Sequence, residues 1–120
     1  MKNRSILLML RTSPYRGVRF GEALDALLVA AAFEQRCTVL LLDDAVFALL
    51  PDQHGDVLGR RTAAKLLNAL PDYEVERICV CEESLAQRGL INFVDTLSAT
   101  RLTPAQQTAL IAAHDIVWND

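Results

Sequence analysis

The chain has 120 residues, 52% hydrophobic and 22% charged, with a net charge of −3. That length suits one domain that buries roughly two-thirds of its unfolded surface. The composition excludes a disordered tract, and the charge excludes a protein held to nucleic acid by bulk attraction. No apolar run approaches the roughly 18 residues that a transmembrane helix needs. Lys2 and Arg4 mimic a basic leader, but only five apolar residues, 6–10, follow before Arg11, too few for a signal peptide. Three cysteines, an odd number in a chain large enough to fold without them, point to a reducing compartment. A cytoplasmic protein without a membrane anchor is expected.

In chain order, Ser5–Leu10 (SILLML) is a continuously apolar run, the pattern of a parallel strand covered on both faces. A loop carrying Pro14 and Gly17 leads to a helix over 20–35, with Leu24, Leu27, Leu28 and Ala31 inward and Glu22, Asp25 and Glu34 wet. Residues 27–33 are apolar nearly all round, which predicts burial on more than one side. A second strand spans 37–42. Asp44 suits the N-cap of a short helix over 45–50, AVFALL, stopped by Pro51. That helix has no polar side, so it is expected to serve the core and a partner surface together. A loop, 52–59, precedes a helix over 60–70 with Ala63, Ala64, Leu66 and Leu67 inward.

The third strand is Val75–Cys81, followed by a short helix, 82–88, closed by Gly89 in a left-handed cap. A short strand is expected within 91–97. Thr103 and Pro104 supply an N-cap and a first-turn proline for a helix over 105–114. A last strand follows at 115–118. Strands alternating with helices predict a single α/β domain, 1–120, with a mostly parallel five-stranded sheet and helices on both faces.

Ligands of such sheets gather at the carboxyl ends of the strands. Three clusters fall there: the loop 11–19, Asp43 with Asp44, and Cys81. Arg11, Arg16 and Arg19, with Lys2 and Arg4, precede the first acid, Glu22; the rest of the chain holds seven basic residues against fifteen acidic ones. The loop reads as a solvated segment, as a docking edge for an acidic partner or RNA, or as an anion or nucleotide site at a helix start. Asp43-Asp44 reads either as a divalent-ion corner or as a strand-end acid beside a cap. Neither G-x-G-x-x-G nor the P-loop pattern occurs, and no histidine neighbours a nucleophile in sequence, so no cofactor is expected. His54 and His114 read as structural or solvated. Cys37 reads as a small core residue. Cys79 and Cys81 share one strand face, and Cys81 sits where helix-start N–H groups favour thiolate while Glu82 and Glu83 oppose it.

The stretches EALDALLVAAAFEQ (22–35), DDAVFALLPDQ (43–53) and VERICVCEESLAQRGL (75–90), in that order and with small gaps, resemble the DsrE/DsrF/DsrH sulfur-relay family, most of all its DsrF-like, or TusC-like, branch. The resemblance implies a flavodoxin-like three-layer sandwich. It implies a non-catalytic subunit joined to TusB- and TusD-like partners in a heterohexamer. That complex would take persulfide from a TusA-like carrier and pass it to a TusE-like one, toward 2-thiouridine in tRNA, without this chain contacting the tRNA. A DsrF-like role in sulfur oxidation and a self-standing persulfide carrier are the alternatives. Cys81, ahead of Arg88-Gly89, matches the place of the carrier cysteine, which the resemblance assigns to the TusD-like partner instead. The expected partner surface comprises Phe47, Leu49 and Leu50 with Arg11, Arg16 and Arg19.

Overall fold

The computed structural model describes residues 4–50, 63–73, 75–90 and 99–120. Five strands, β1 (Ser5–Leu10), β2 (Arg36–Leu41), β3 (Val75–Cys81), β4 (Thr100–Leu102) and β5 (Ile116–Asn119), form one sheet in the order β4-β3-β2-β1-β5. Every pairing is parallel, so the sheet is wholly rather than mostly parallel. Between the strands lie α1 (Arg19–Ala32), a 3-10 segment (Asp43–Leu49), α2 (Ala63–Ala69), a 3-10 turn (Leu70–Tyr73), α3 (Glu82–Gln87) and α4 (Pro104–Ala112).

The apolar strands bury both faces, as their lack of alternation predicts. On one face Ile6, Leu8 and Leu10 of β1 pack with Val39 and Leu41 of β2 beneath Phe20, Leu24 and Leu27 of α1, Leu67 of α2 and Leu85 of α3. On the other, Leu7 and Met9 join Leu40, Cys79 and Cys81 beneath Leu110 of α4. Helices therefore cover both faces. The edge strand β5 is only four residues long, and it is fastened at both ends. Asp115 Oδ2 accepts from Ser5 N at 2.9 Å, and Ser5 Oγ accepts in turn from Asp115 N at 3.0 Å. Asp120 accepts from Arg11 N at 2.8 Å and from Thr12 N at 3.2 Å.

Several expectations change. Helix α1 ends at Ala32, not 35: Glu34 turns left-handed (φ 64°), and Gln35 N and Glu34 N donate to Ala30 O and Ala31 O. This is the closure usually given to glycine, so Glu34 lies beyond the helix rather than on its wet side. The girdle 27–33 is buried on one side only. Leu27 is fully covered, but Val29 is 59% and Phe33 65% exposed.

The AVFALL helix is a 3-10 segment turned into the core: Ala45, Val46, Ala48 and Leu49 have no exposed surface, while Phe47 and Leu50 are half-buried. Asp44 is not its cap. Leu42 holds that position, and no side chain bonds there. The strand expected within 91–97 and the loop 52–59 lie outside the described residues, whereas β4 at Thr100–Leu102 was not anticipated. Two signals do act as read. Thr103 and Gln106 form a reciprocal capping box behind Pro104, and Gly89 (φ 68°) closes α3, with Leu90 N donating to Leu85 O at 2.8 Å.

Because Glu34 holds a left-handed conformation that costs a side-chain-bearing residue about 1 kcal/mol, Glu34→Gly is expected to stabilise the fold by up to about 1 kcal/mol, less the extra entropy glycine loses on folding. Equilibrium urea unfolding of the two proteins checks this. A variant less stable than the parent would show that Glu34 is held there by contacts worth more than its strain.

Candidate functional site

Parallel pairing brings the carboxyl ends of all five strands to one edge, and the loops there hold the chemistry-bearing residues together. After β1, the turn in which Arg16 N donates to Ser13 O leads through Gly17 (φ 81°) into α1. After β2, Asp43 adopts φ 50°, tolerable for an aspartate. Its N–H donates to Ser84 Oγ of α3 at 3.0 Å. Asp44 accepts from Arg88 Nε and Nη2 at 3.0 Å each, and Arg88 Nη1 also reaches Ser84 O at 3.2 Å. Arg88, at the end of α3, thereby locks that helix to the turn after β2. Arg11 Nη1 pairs with Asp43 Oδ2 at 3.2 Å, both half-exposed, and such a pair contributes about 0–1 kcal/mol. The aspartates weighed as an ion corner are thus each neutralised by an arginine. Among the described residues no three His, Cys, Asp or Glu side chains gather as a metal site.

Cys81 lies at the N-cap of α3, where its Sγ accepts from Ser84 N at 3.4 Å. The helix-start geometry read from the sequence is present. The sulfur is enclosed, however: the residue is 6% exposed and packs on the α4 face with Cys79, Leu102 and Leu110. Cys79 is fully buried, and burial pushes its thiol above the ordinary value of 9.0, with the nearby Arg77 charge opposing. Cys37 is buried in the core. His114 contacts Leu110 O through Nδ1 at 2.7 Å and Thr38 Oγ1 through Nε2 at 3.2 Å, a structural bridge from α4 to β2. His54 lies outside the described residues.

At this edge lies an open cleft of about 510 Å³ lined by residues 11–13, Arg16, Arg19, Asp44 and Asp120. Every lining residue is polar. The side chains of Arg16 and Arg19 make no ion pair among the described residues. The three arginines singled out in the sequence thus meet at one cleft, while Phe47, Leu49 and Leu50 belong elsewhere. Leu49, wholly buried, touches only its own chain. Sequence reasoning missed Asp120, Ser84 and the bracing role of Arg88, because their partners lie 32 or more residues away in the chain or depend on loop conformation.

The fold closely matches known structures. It superposes on the ychN protein of E. coli with a TM-score of 0.85 at 18% identity, over 98% of this chain and 99% of that one. A conserved protein of unknown function from Bacteroides thetaiotaomicron matches with a TM-score of 0.70 at 12% identity, over 96% and 94% of the two chains. The DsrE/DsrF-like family matches residues 4–117, and the chain belongs to that family. Over 80 residues, 67% of this chain, it is 41% identical to the intracellular sulfur oxidation protein DsrF of Allochromatium vinosum, and the match spans 59% of that protein. Among the described residues, no helix is long and apolar enough to cross a membrane.

The buried Cys79 thiol has a testable consequence. Its pKa is higher folded than unfolded, so the folded state binds more protons between the two values. Its contribution to stability is complete below the unfolded value and is lost as pH rises through the folded one. The unfolding free energy of the wild type should therefore fall more steeply above about pH 9 than that of Cys79→Ala. Urea titrations of both proteins from pH 7.5 to pH 10 check this; parallel curves would show that the thiolate is tolerated.

Proposed function

We propose that this chain is a structural subunit of a cytoplasmic sulfur-relay assembly, in which a partner's cysteine rather than Cys81 carries the persulfide. The observation that carries this reading is the state of Cys81. Its sulfur accepts from a backbone N–H at a helix start, yet the residue is only 6% exposed, enclosed with Cys79, Leu102 and Leu110, and Glu82 and Glu83 are the charges beside it in the first turn of α3. A carrier thiol must meet a second protein's sulfur, which requires exposure and a stabilised thiolate.

Assembly with other chains is supported by the apolar stripe on α1, where Val29 and Phe33 stand 59% and 65% exposed one turn apart. Phe47 and Leu50 reach the surface in part and extend the proposed partner surface. TusB- and TusD-like subunits fit that role, in a heterohexamer that exchanges sulfur with TusA- and TusE-like carriers. The end product would then be 2-thiouridine in tRNA, without this chain touching the RNA. A second reading, a DsrF-like subunit of a sulfur-oxidation complex, is favoured by the 41% identity to a protein named for that process. Deleting the gene separates them: loss of 2-thiouridine with sulfur oxidation intact supports the first, and the reverse supports the second.

Two outcomes are expected of the assembly. Cys81→Ser should leave the complex intact and most tRNA 2-thiouridine in place, measured by mass spectrometry of nucleosides from cells whose only copy is the variant. Loss of the modification with the complex still assembled would show that this subunit carries sulfur itself. Phe33→Glu, at an exposed position, should leave the fold intact and weaken partner binding by about 2 kcal/mol, roughly thirtyfold, the scale of an interface anchor. Co-purification and calorimetry with the partner subunits measure this, and unchanged affinity would move the interface off α1.

A further inference from the structure

The cleft between the basic loop and Asp120 is not used by the function proposed above, and its position is informative. From β1 the chain steps outward through β2 and β3 to β4, then returns through α4 across the opposite face to β5 on the other edge of β1. The strand order thus reverses between β1 and β5. Ligands of open parallel sheets bind outside the carboxyl ends at such a reversal. The cleft lies at that place, lined by the loop after β1, by Asp120 just after β5, and by Asp44 after β2.

Its charges are arranged unevenly. Arg11 is matched by Asp43 and Arg88 by Asp44. Asp120 spends its two oxygens on the N–H groups of Arg11 and Thr12. Arg16 and Arg19 remain as exposed cations without an ion pair among the described residues. Two guanidiniums lining one cleft suit a dianionic oxyanion, which each can grip with two N–H groups. The carboxylates of Asp44 and Asp120 line the same cleft, and their oxygens, already bonded to Arg88 and to the loop N–H groups, keep further lone pairs for hydroxyl donors. A volume of about 510 Å³ exceeds what a lone oxyanion fills and falls in the range of small-ligand sites. Among the described residues no aliphatic or aromatic side chain lines the cleft, so an apolar platform for a nucleobase is not among them.

We propose that this cleft binds a phosphorylated sugar, its phosphate on Arg16 and Arg19 and its hydroxyls toward Asp44 and Asp120. The ligand is a free small molecule; the same ribose–phosphate chemistry in an RNA strand is the competing source, disfavoured by the net charge of −3. The inference does not depend on the sulfur-relay reading.

Isothermal titration of the full chain, in whatever assembly it purifies, tests the proposal with ribose 5-phosphate, inorganic phosphate, ribose, AMP and a ten-nucleotide single-stranded RNA. Ribose 5-phosphate is expected to bind once per chain, with ribose silent and inorganic phosphate about tenfold weaker, the loss of one good contact. AMP should bind no tighter than ribose 5-phosphate. Arg16→Gln with Arg19→Gln, both exposed positions, should weaken binding by about tenfold or more, while the Lys double variant, which keeps the charge but not the paired N–H groups, should lose less than the Gln one; circular dichroism verifies that each is folded. Phosphate matching the ester, AMP binding tighter, RNA binding where the sugar phosphate does not, or affinity unchanged in the Gln double variant would each overturn it. So would absence of binding together with failure of the Gln double variant to assemble with partner chains, which would assign the loop to protein docking.

Discussion

β1 has neither a solvent face nor a free edge, and the rest of the molecule is arranged around that fact. All six of its residues are buried, it pairs with β2 along its whole length on one side, and it pairs with β5 on the other. A strand so placed must be apolar on both faces and must have a helix above and another below. It also divides the topology, because everything from β2 to β4 extends to one side and only β5 to the other. The short β5 holds that second edge over four register pairs, with side-chain bonds beyond the ladder. Asp115 and Asp120, each bonded to the backbone at one end of β1, supply those bonds.

The elements legible in the sequence were those whose signal is local. SILLML and VERICVC declare buried parallel strands, and their bounds agree with the structure. Thr103-Pro104 and Gly89 mark helix ends by side-chain chemistry or backbone freedom available to few residue types. The end of α1 was illegible for the converse reason: a glutamate occupies the left-handed closing position, and nothing local distinguishes it from a wet helical residue. The segment 45–50 was expected to serve the core and a partner surface together, and which of its residues go to the core was not legible, because an apolar helix with no polar side suits both. The choice depends on what packs around it, here the first sheet face with Leu67 and Leu85. β4, three residues long, carries too few side chains for any period to show.

At the carboxyl edge the sequence named the right residue types and only part of their grouping. Arg11, Arg16 and Arg19 stood out as a run of positive charge in an acidic chain, and they share one cleft. What could not be foreseen was which charges cancel. The pairs Arg11–Asp43 and Arg88–Asp44 join residues 32 and 44 apart in sequence. Only their removal from the account leaves Arg16 and Arg19 as the arginines of the cleft without an ion pair among the described residues. Cys81 illustrates the same limit in the other direction. Its place at a helix start is written in the sequence, but its enclosure depends on side chains more than twenty residues further on, Leu102 and Leu110.

That enclosure makes the pair of thiols a clock. Cys79 and Cys81 lie on the α4 face of the sheet, grouped with Leu110, and α4 is a nine-residue helix anchored there by Leu110 and by the His114–Thr38 bridge. A thiol reagent reaches the two sulfurs only when the packing on this face loosens, so the rate of their modification counts openings of that face.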